Sequence, residues 1–128
     1  MKLWFIAGAV LGGVGVAAGS FGAHALKESL AATGQAANWE TAVRYGLFHA
    51  VALLVVGVAG GLPQLAGCRG ILHAAGGCFL LGTLVFSGCL GALAVTGVRM
   101  LGAIVPIGGV LMLVGWGCLA VAGFLAGK

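Results

Sequence analysis

The sequence predicts an all-α integral membrane four-helix bundle with glycine-rich helix packing. Only six basic and two acidic residues occur among 128, and 62% of the chain is hydrophobic. Soluble domains carry about 25% charged residues. Four apolar runs each reach the roughly 20 residues that a helix needs to cross about 30 Å of hydrocarbon. The runs are continuous, whereas membrane strands need alternating segments of about 10 residues. So little chain lies between them that no soluble domain fits, and the whole length reads as one transmembrane domain.

The first span covers 3–26 and contains no charged residue. Lys2, the apolar run and "AHA" at 23–25 have the layout of a signal peptide. The run is far longer than the usual h-region of about 7–15 residues, so it is read as a retained span. A short helical or re-entrant connection follows at 27–40. Within it "HALKESLAATG" extends as helix to a stop at Gly34. "NWETAV" then restarts a helix, with Asn38 as N-cap and Glu40 in the first turn, where the helix dipole favours an anion.

The second span, 41–61, carries one charge, Arg44, four residues after Glu40 in the favoured order for a helical ion pair. His49 lies deeper, with Tyr45 one turn before it and placed to share a hydrogen bond. The third span, 70–95, has Thr83 and Ser87 near its centre, one turn apart. Their hydroxyls can bond back to their own helix or across to a neighbour. In the fourth span, 100–126, Pro106 removes a backbone donor and leaves the Gly102 carbonyl without its helical partner. This is read as a packing kink.

Glycine is the dominant pattern, with 26 residues. In the first span Gly8, Gly12, Gly15, Gly19 and Gly22 alternate steps of four and three, a heptad-like seam. Gly70, Gly77 and Gly91 repeat in sevens, as do Gly102, Gly109 and Gly123, while Gly108 and Gly115 add a second seven-step. Lipid offers no hydrophobic drive between helices, so small residues that let backbones approach supply the packing. The seam predicts a compact left-handed bundle and a damaging Gly12→Leu substitution.

Four spans put both ends of the chain on one side of the membrane. That side holds Lys2, Arg69 and Lys128; the other holds Lys27, Arg44 and Arg99. The positive-inside count is level. With Arg44 sunk in the bundle and neutralised by Glu40, both termini are expected in the cytoplasm. His24, Lys27, Glu28, Glu40, Arg44, Tyr45, His49 and Arg99 all belong to the opposite face, where a polar cluster is expected, either structural or ligand-binding.

The six basic residues are scattered and form no phosphate-binding stripe, which argues against nucleic acid. Cys68, Cys78, Cys89 and Cys118 form no CxxC and are read as small apolar groups. His24 and His49 approach from one face and His73 from the other, a poor arrangement for bis-histidine haem. No metal or other cofactor is expected. Nor does any nucleophile–base pair or paired carboxylate suggest an enzyme.

"GSFGAHALK" at 19–27, "WETAVRYGLFHA" at 39–50 and "FSGCLGALAVTGVRMLGAIVPIGGVLMLVGW" at 86–116 together resemble the uncharacterised small membrane proteins of the YgdD/YwdK type. The resemblance covers nearly the whole chain. It implies a four-helix protein of the bacterial inner membrane and no established activity. Gly46, Cys89, Gly91 and Val105 depart from that pattern, which commonly has a polar residue, Ser, an aromatic residue and Thr at these places. The swaps thin out polarity and weigh against a polar transport path. The expected function is therefore an accessory or scaffolding role. Its partners would be membrane lipids and other membrane subunits or a second copy. The alternative is a small transporter or a lipid- or quinone-binding protein using His49, Arg44 and Tyr45.

Overall fold

A computed structural model describes residues 1–127. Five α-helices follow one another: α1 (Lys2–Ala23), α2 (Lys27–Ala32), α3 (Ala36–Ala59), α4 (Arg69–Thr96) and α5 (Met100–Leu125), with a 3-10 turn at Pro63–Cys68 before α4. Four of these segments, all but α2, are long and apolar enough to cross a membrane. The chain is a multi-pass, all-α membrane protein. Lys128, counted above with the termini, lies outside the described residues.

Helix boundaries follow local chemistry. Gly34 takes φ +69°, and the Gln35 N–H reaches back to the Leu30 carbonyl at 2.9 Å. This is the left-handed glycine stop that ends α2. The expected N-cap at Asn38 is corrected: α3 starts at Ala36 with Gln35 in the cap position. Asn38 lies inside the first turn, and its Nδ2–H donates to Gln35 Oε1 at 2.8 Å. Gly97, at φ +71°, closes α4, and its N–H bonds to the Leu93 carbonyl at 2.8 Å. At the other membrane face Leu62 is extended before Pro63, as the proline ring requires of its predecessor.

The spanning helices pack in the order α1–α3–α4–α5. Backbone meets backbone where glycine leaves room. A methyl group on Gly8 would lie 2.7 Å from the Ala50 carbonyl oxygen, and one on Gly57 would lie 2.8 Å from the Phe5 nitrogen, so α1 and α3 cross at glycine from both sides. The α4–α5 crossing is as close: a methyl on Gly82 would lie 2.9 Å from the Gly108 oxygen, and one on Gly108 would lie 2.5 Å from the Phe86 nitrogen. Elsewhere glycine seats a ring or a branched side chain: Trp39 over Gly22, Trp4 over Gly76, Phe79 over Gly115 and Leu47 over Gly15.

The glycine seam is thereby narrowed. In α1 the contact set is Gly8, Gly15 and Gly22. A methyl on Gly12 would meet only the Ala50 Cβ at 3.9 Å, and one on Gly19 only Val43 at 3.4 Å. A single methyl group therefore fits at Gly12, and the close α1–α3 crossing does not depend on that position being glycine. In α4 Gly70 faces open space and Gly77 and Gly91 make only loose approaches; in α5 Gly123 faces open space, and Gly102 and Gly109 would make ordinary contacts at 3.5 and 3.7 Å. The second seven-step, Gly108 and Gly115, is the one in the interface. Pro106 is exposed, and α5 runs through it without leaving helix.

The continuous core includes Trp4, Leu53, Val56, Leu72, Ala75, Phe79 and Ala122, in the half of the bundle nearest the termini.

Candidate functional site

Each of the three tryptophans donates its indole N–H to a different helix. Trp39 Nε1–H donates to the Ala18 carbonyl at 2.9 Å, which ties α3 to α1. Trp4 Nε1–H donates to His73 Nδ1 at 3.0 Å, and Trp116 Nε1–H donates to His49 Nε2 at 3.1 Å. These last two bonds join α1 to α4 and α5 to α3, helices that are not neighbours in the packing order. An indole is a donor only, so the accepting histidine nitrogens carry no proton.

His49 is the centre of the larger assembly. It is 5% exposed, and its Nδ1–H donates to the Tyr45 carbonyl at 2.7 Å. With Nε2 accepting from Trp116, both ring nitrogens are used and the imidazole is neutral. Aromatic rings surround it. The Phe79 centroid lies at 5.6 Å, Trp116 at 5.9 Å edge-on, and Tyr45 at 6.2 Å. Tyr45 itself stacks on Phe86 at 4.7 Å. The helical spacing of Tyr45 and His49 puts both on the α4–α5 side of α3, and Gly115 makes space for Phe79. Tyr45 contributes its main-chain oxygen and its ring face to His49, not its hydroxyl.

The polar cluster expected at the face opposite the termini does not assemble as one site. Arg44 donates to Glu40 Oε1 at 2.6 Å, but their side chains are 57% and 70% exposed. Arg44 is therefore not sunk in the bundle. Exposed i,i+4 pairs contribute about 0.3–0.5 kcal/mol; Glu40→Gln should lower stability by no more than that in a thermal melt. His24, Lys27, Glu28 and Arg99 are exposed, and their side chains join no hydrogen bond or ion pair among the described residues. Long charged side chains at a membrane surface keep their hydration, so nothing draws them together. Lys27 and Glu40 share only the rim of a cleft beside Trp39 and Leu30. Among the described residues no three metal-ligating side chains gather, and the four cysteines are free thiols.

Two lateral clefts remain. One, of about 570 Å³, lies between α3 and α5 beside Arg44, Phe48, His49 and Trp116. The other, of about 190 Å³, lies among α1, α3 and α4 and includes Thr83 and Ser87. Sequence reasoning weighed His73 only as a haem ligand, carried Trp39 only within the resemblance, and assigned no role to Trp4, Phe79 or Trp116. The available signal was chemical: a buried indole N–H needs an acceptor, and the chain has few side chains able to supply one.

Apolar spanning helices, glycine crossings and a neutral histidine held by tryptophan define a polytopic membrane protein with a structured aromatic interior. Residues 18–109 match the family described as "Protein of unknown function (DUF423)". The chain belongs to that family. It is similar to a UPF0382 membrane protein of Staphylococcus haemolyticus, 40% identical over 124 residues and covering 97% of both chains. It is also similar to one of Staphylococcus epidermidis, 40% identical over 122 residues with 95% of both chains covered. A third, of Staphylococcus saprophyticus, is 38% identical over 124 residues, or 97% of this chain and 98% of the relative. No solved structure matches the chain significantly.

Proposed function

We propose that this chain is a non-enzymatic accessory or scaffolding subunit that packs beside a larger membrane complex or a second copy of itself. The observation that carries this reading is a set of glycines that the chain's own packing does not use. Methyl groups on Gly13, Gly117 and Gly123 would meet nothing within 4 Å. A glycine within a helix is about 1 kcal/mol less favourable than alanine. On an outward membrane face, small residues let a neighbouring helix approach closely. His49 supports the same reading, because both its ring nitrogens are already engaged within the bundle.

The resemblance to YgdD/YwdK-type proteins supports placement in the bacterial inner (plasma) membrane. An orientation with both termini cytoplasmic belongs to the same proposal, although the exposure of Arg44 leaves the positive-inside count level on the two faces.

The test is gentle extraction of the native protein, a native gel, and mass spectrometry of the band. A stoichiometric companion or a homo-oligomer is expected. Gly117→Leu and Gly123→Leu should each weaken that association while leaving the melting temperature unchanged. A lone monomer, indifferent to both substitutions, would overturn the reading.

A further inference from the structure

The outward side of α3 is a single narrow stripe. From Arg44 onward its exposed residues are Arg44, Tyr45, Phe48, Val51, Val55 and Val58. All but Tyr45 follow steps of four, three, four and three. That is the spacing of a coiled-coil seam, narrower than an ordinary apolar helix face and matched to one partner helix. Phe48, Val51 and Val55 also line the cleft of about 570 Å³, which is walled on its α5 side by Trp116. The flank of a helix seated on the stripe has room to enter there.

The stripe begins with charge. Arg44 lies about 12 Å along α3 from Ala36, at roughly 1.5 Å per residue. It is inside a segment long and apolar enough to cross the membrane. Charged side chains within spans almost always face a protein interior or a water-filled cavity. Arg44 and Glu40 both face outward instead. One copy of the chain does not supply the interior that this pair requires.

The pair also selects what covers it. Glu40 Oε1 accepts from Arg44 at 2.6 Å. A lipid phosphate arriving at the guanidinium meets that carboxylate, and a cation arriving at Glu40 meets the guanidinium. A surface that suits both presents one charge of each sign, side by side. Glu40 and Arg44 are such a surface themselves, because residues four apart are offset by about 40° around a helix. Two copies inserted in the same direction are related by a two-fold axis along the membrane normal. That axis exchanges left and right, so each Arg44 faces the Glu40 of the other copy.

We propose that a second copy of this chain packs on the α3 stripe as a parallel two-fold dimer. Glu40 and Arg44 of both copies form one ion-pair network, and Phe48, Val51, Val55 and Val58 form the apolar seam beside it. The inference deepens the reading above by naming the second copy as the partner, at a surface separate from the outward glycines of α1 and α5.

The test measures energy transfer between donor- and acceptor-labelled copies of the full-length protein in liposomes. Unsubstituted copies should associate. Glu40→Arg or Arg44→Glu alone leaves only like charges around the axis and should weaken self-association at least about tenfold. Mixing these two variants opposes unlike charges again and should restore association, as should the double reversal E40R/R44E. Both side chains are exposed, so each variant should still fold. Crosslinking gives a readout independent of the charge variants. Val51→Cys, at the centre of the seam, should form an oxidised dimer above the background of the native cysteines. Leu84→Cys, exposed in the other lateral cleft, should not. Unsubstituted copies that do not associate, association indifferent to the charge changes, a mixture no better than its components, or equal crosslinking at the two positions overturns the proposal. A stoichiometric companion without charge-dependent self-association would overturn this dimer and leave the accessory reading standing. Restored association in the mixture, with Gly117→Leu and Gly123→Leu both silent, would support the dimer and overturn the role of the outward glycines.

Discussion

Gly108→Ala is expected to destabilise the protein by about 3 kcal/mol or more, although it adds one methyl group. The new Cβ would sit 2.5 Å from the Phe86 nitrogen and 2.7 Å from the Gly82 oxygen. Those are backbone atoms of α4, and neither can rotate away. Overpacking typically costs about 1–3 kcal/mol where side chains can adjust; a clash with backbone on both sides of a helix crossing belongs above that range. Gly109→Ala is the matched control. Its methyl would meet the Phe86 ring at 3.7 Å, an ordinary contact, and the gain in helix propensity is up to about 1 kcal/mol. Thermal melts in detergent should separate these adjacent positions. Equal melting temperatures would show that the α4–α5 crossing is not where these distances place it.

His49→Ala should cost about 2–4 kcal/mol, with a mechanism different from that of Gly108→Ala. The substitution leaves the Trp116 N–H without an acceptor, a loss of about 1–3 kcal/mol, and opens a cavity against Phe79 and Trp116. Trp116→Phe should cost less, because it removes the donor and leaves the ring stacking partly in place. The two changes should not add. The bond between Trp116 and His49 predicts a coupling of about 0.6 kcal/mol and no more than about 1.7 kcal/mol in a double-mutant cycle, the average and the maximum for hydrogen bonds within membranes. Additive losses would mean that the bond contributes nothing and that ring packing alone holds α5 against α3. His24→Ala offers a useful contrast, since that side chain is exposed and makes no hydrogen bond among the described residues. No measurable change in stability is expected there.

Much of the architecture was legible because membrane insertion imposes a simple rule. Backbone polar groups must be satisfied inside each span, so four apolar runs of sufficient length require four helices. The span at 100–126 and the helix Met100–Leu125 nearly coincide for this reason. Gly34 was readable as a stop from local backbone preference, and it takes positive φ. The Glu40–Arg44 pair was readable from i,i+4 spacing and is present. The N-cap at Asn38 was misplaced, because Gln35 and Asn38 bond to each other and start the helix earlier.

The sequence by itself determined the class of solvent, the number of spans and the use of glycine as a packing device. These depend on composition and on spacing along one helix. It did not determine which glycines touch a neighbour. Gly12 and Gly15 belong to one glycine seam, and Gly108 and Gly109 each belong to a seven-residue series. Only the rotation of each helix against its partner makes one a crossing point and leaves the other with ordinary contacts. The candidate site depended on rotation even more strongly. His49 was visible as a polar group within a span, yet its partner is Trp116, sixty-seven residues away on a helix that is not its neighbour in the packing order. Residues expected to join it, His24, Lys27, Glu28 and Arg99, stay solvated at the surface, because hydration there outweighs any pairing. A hydrogen bond between side chains on different helices is set by the relative placement of whole helices. No local pattern in the chain encodes that placement.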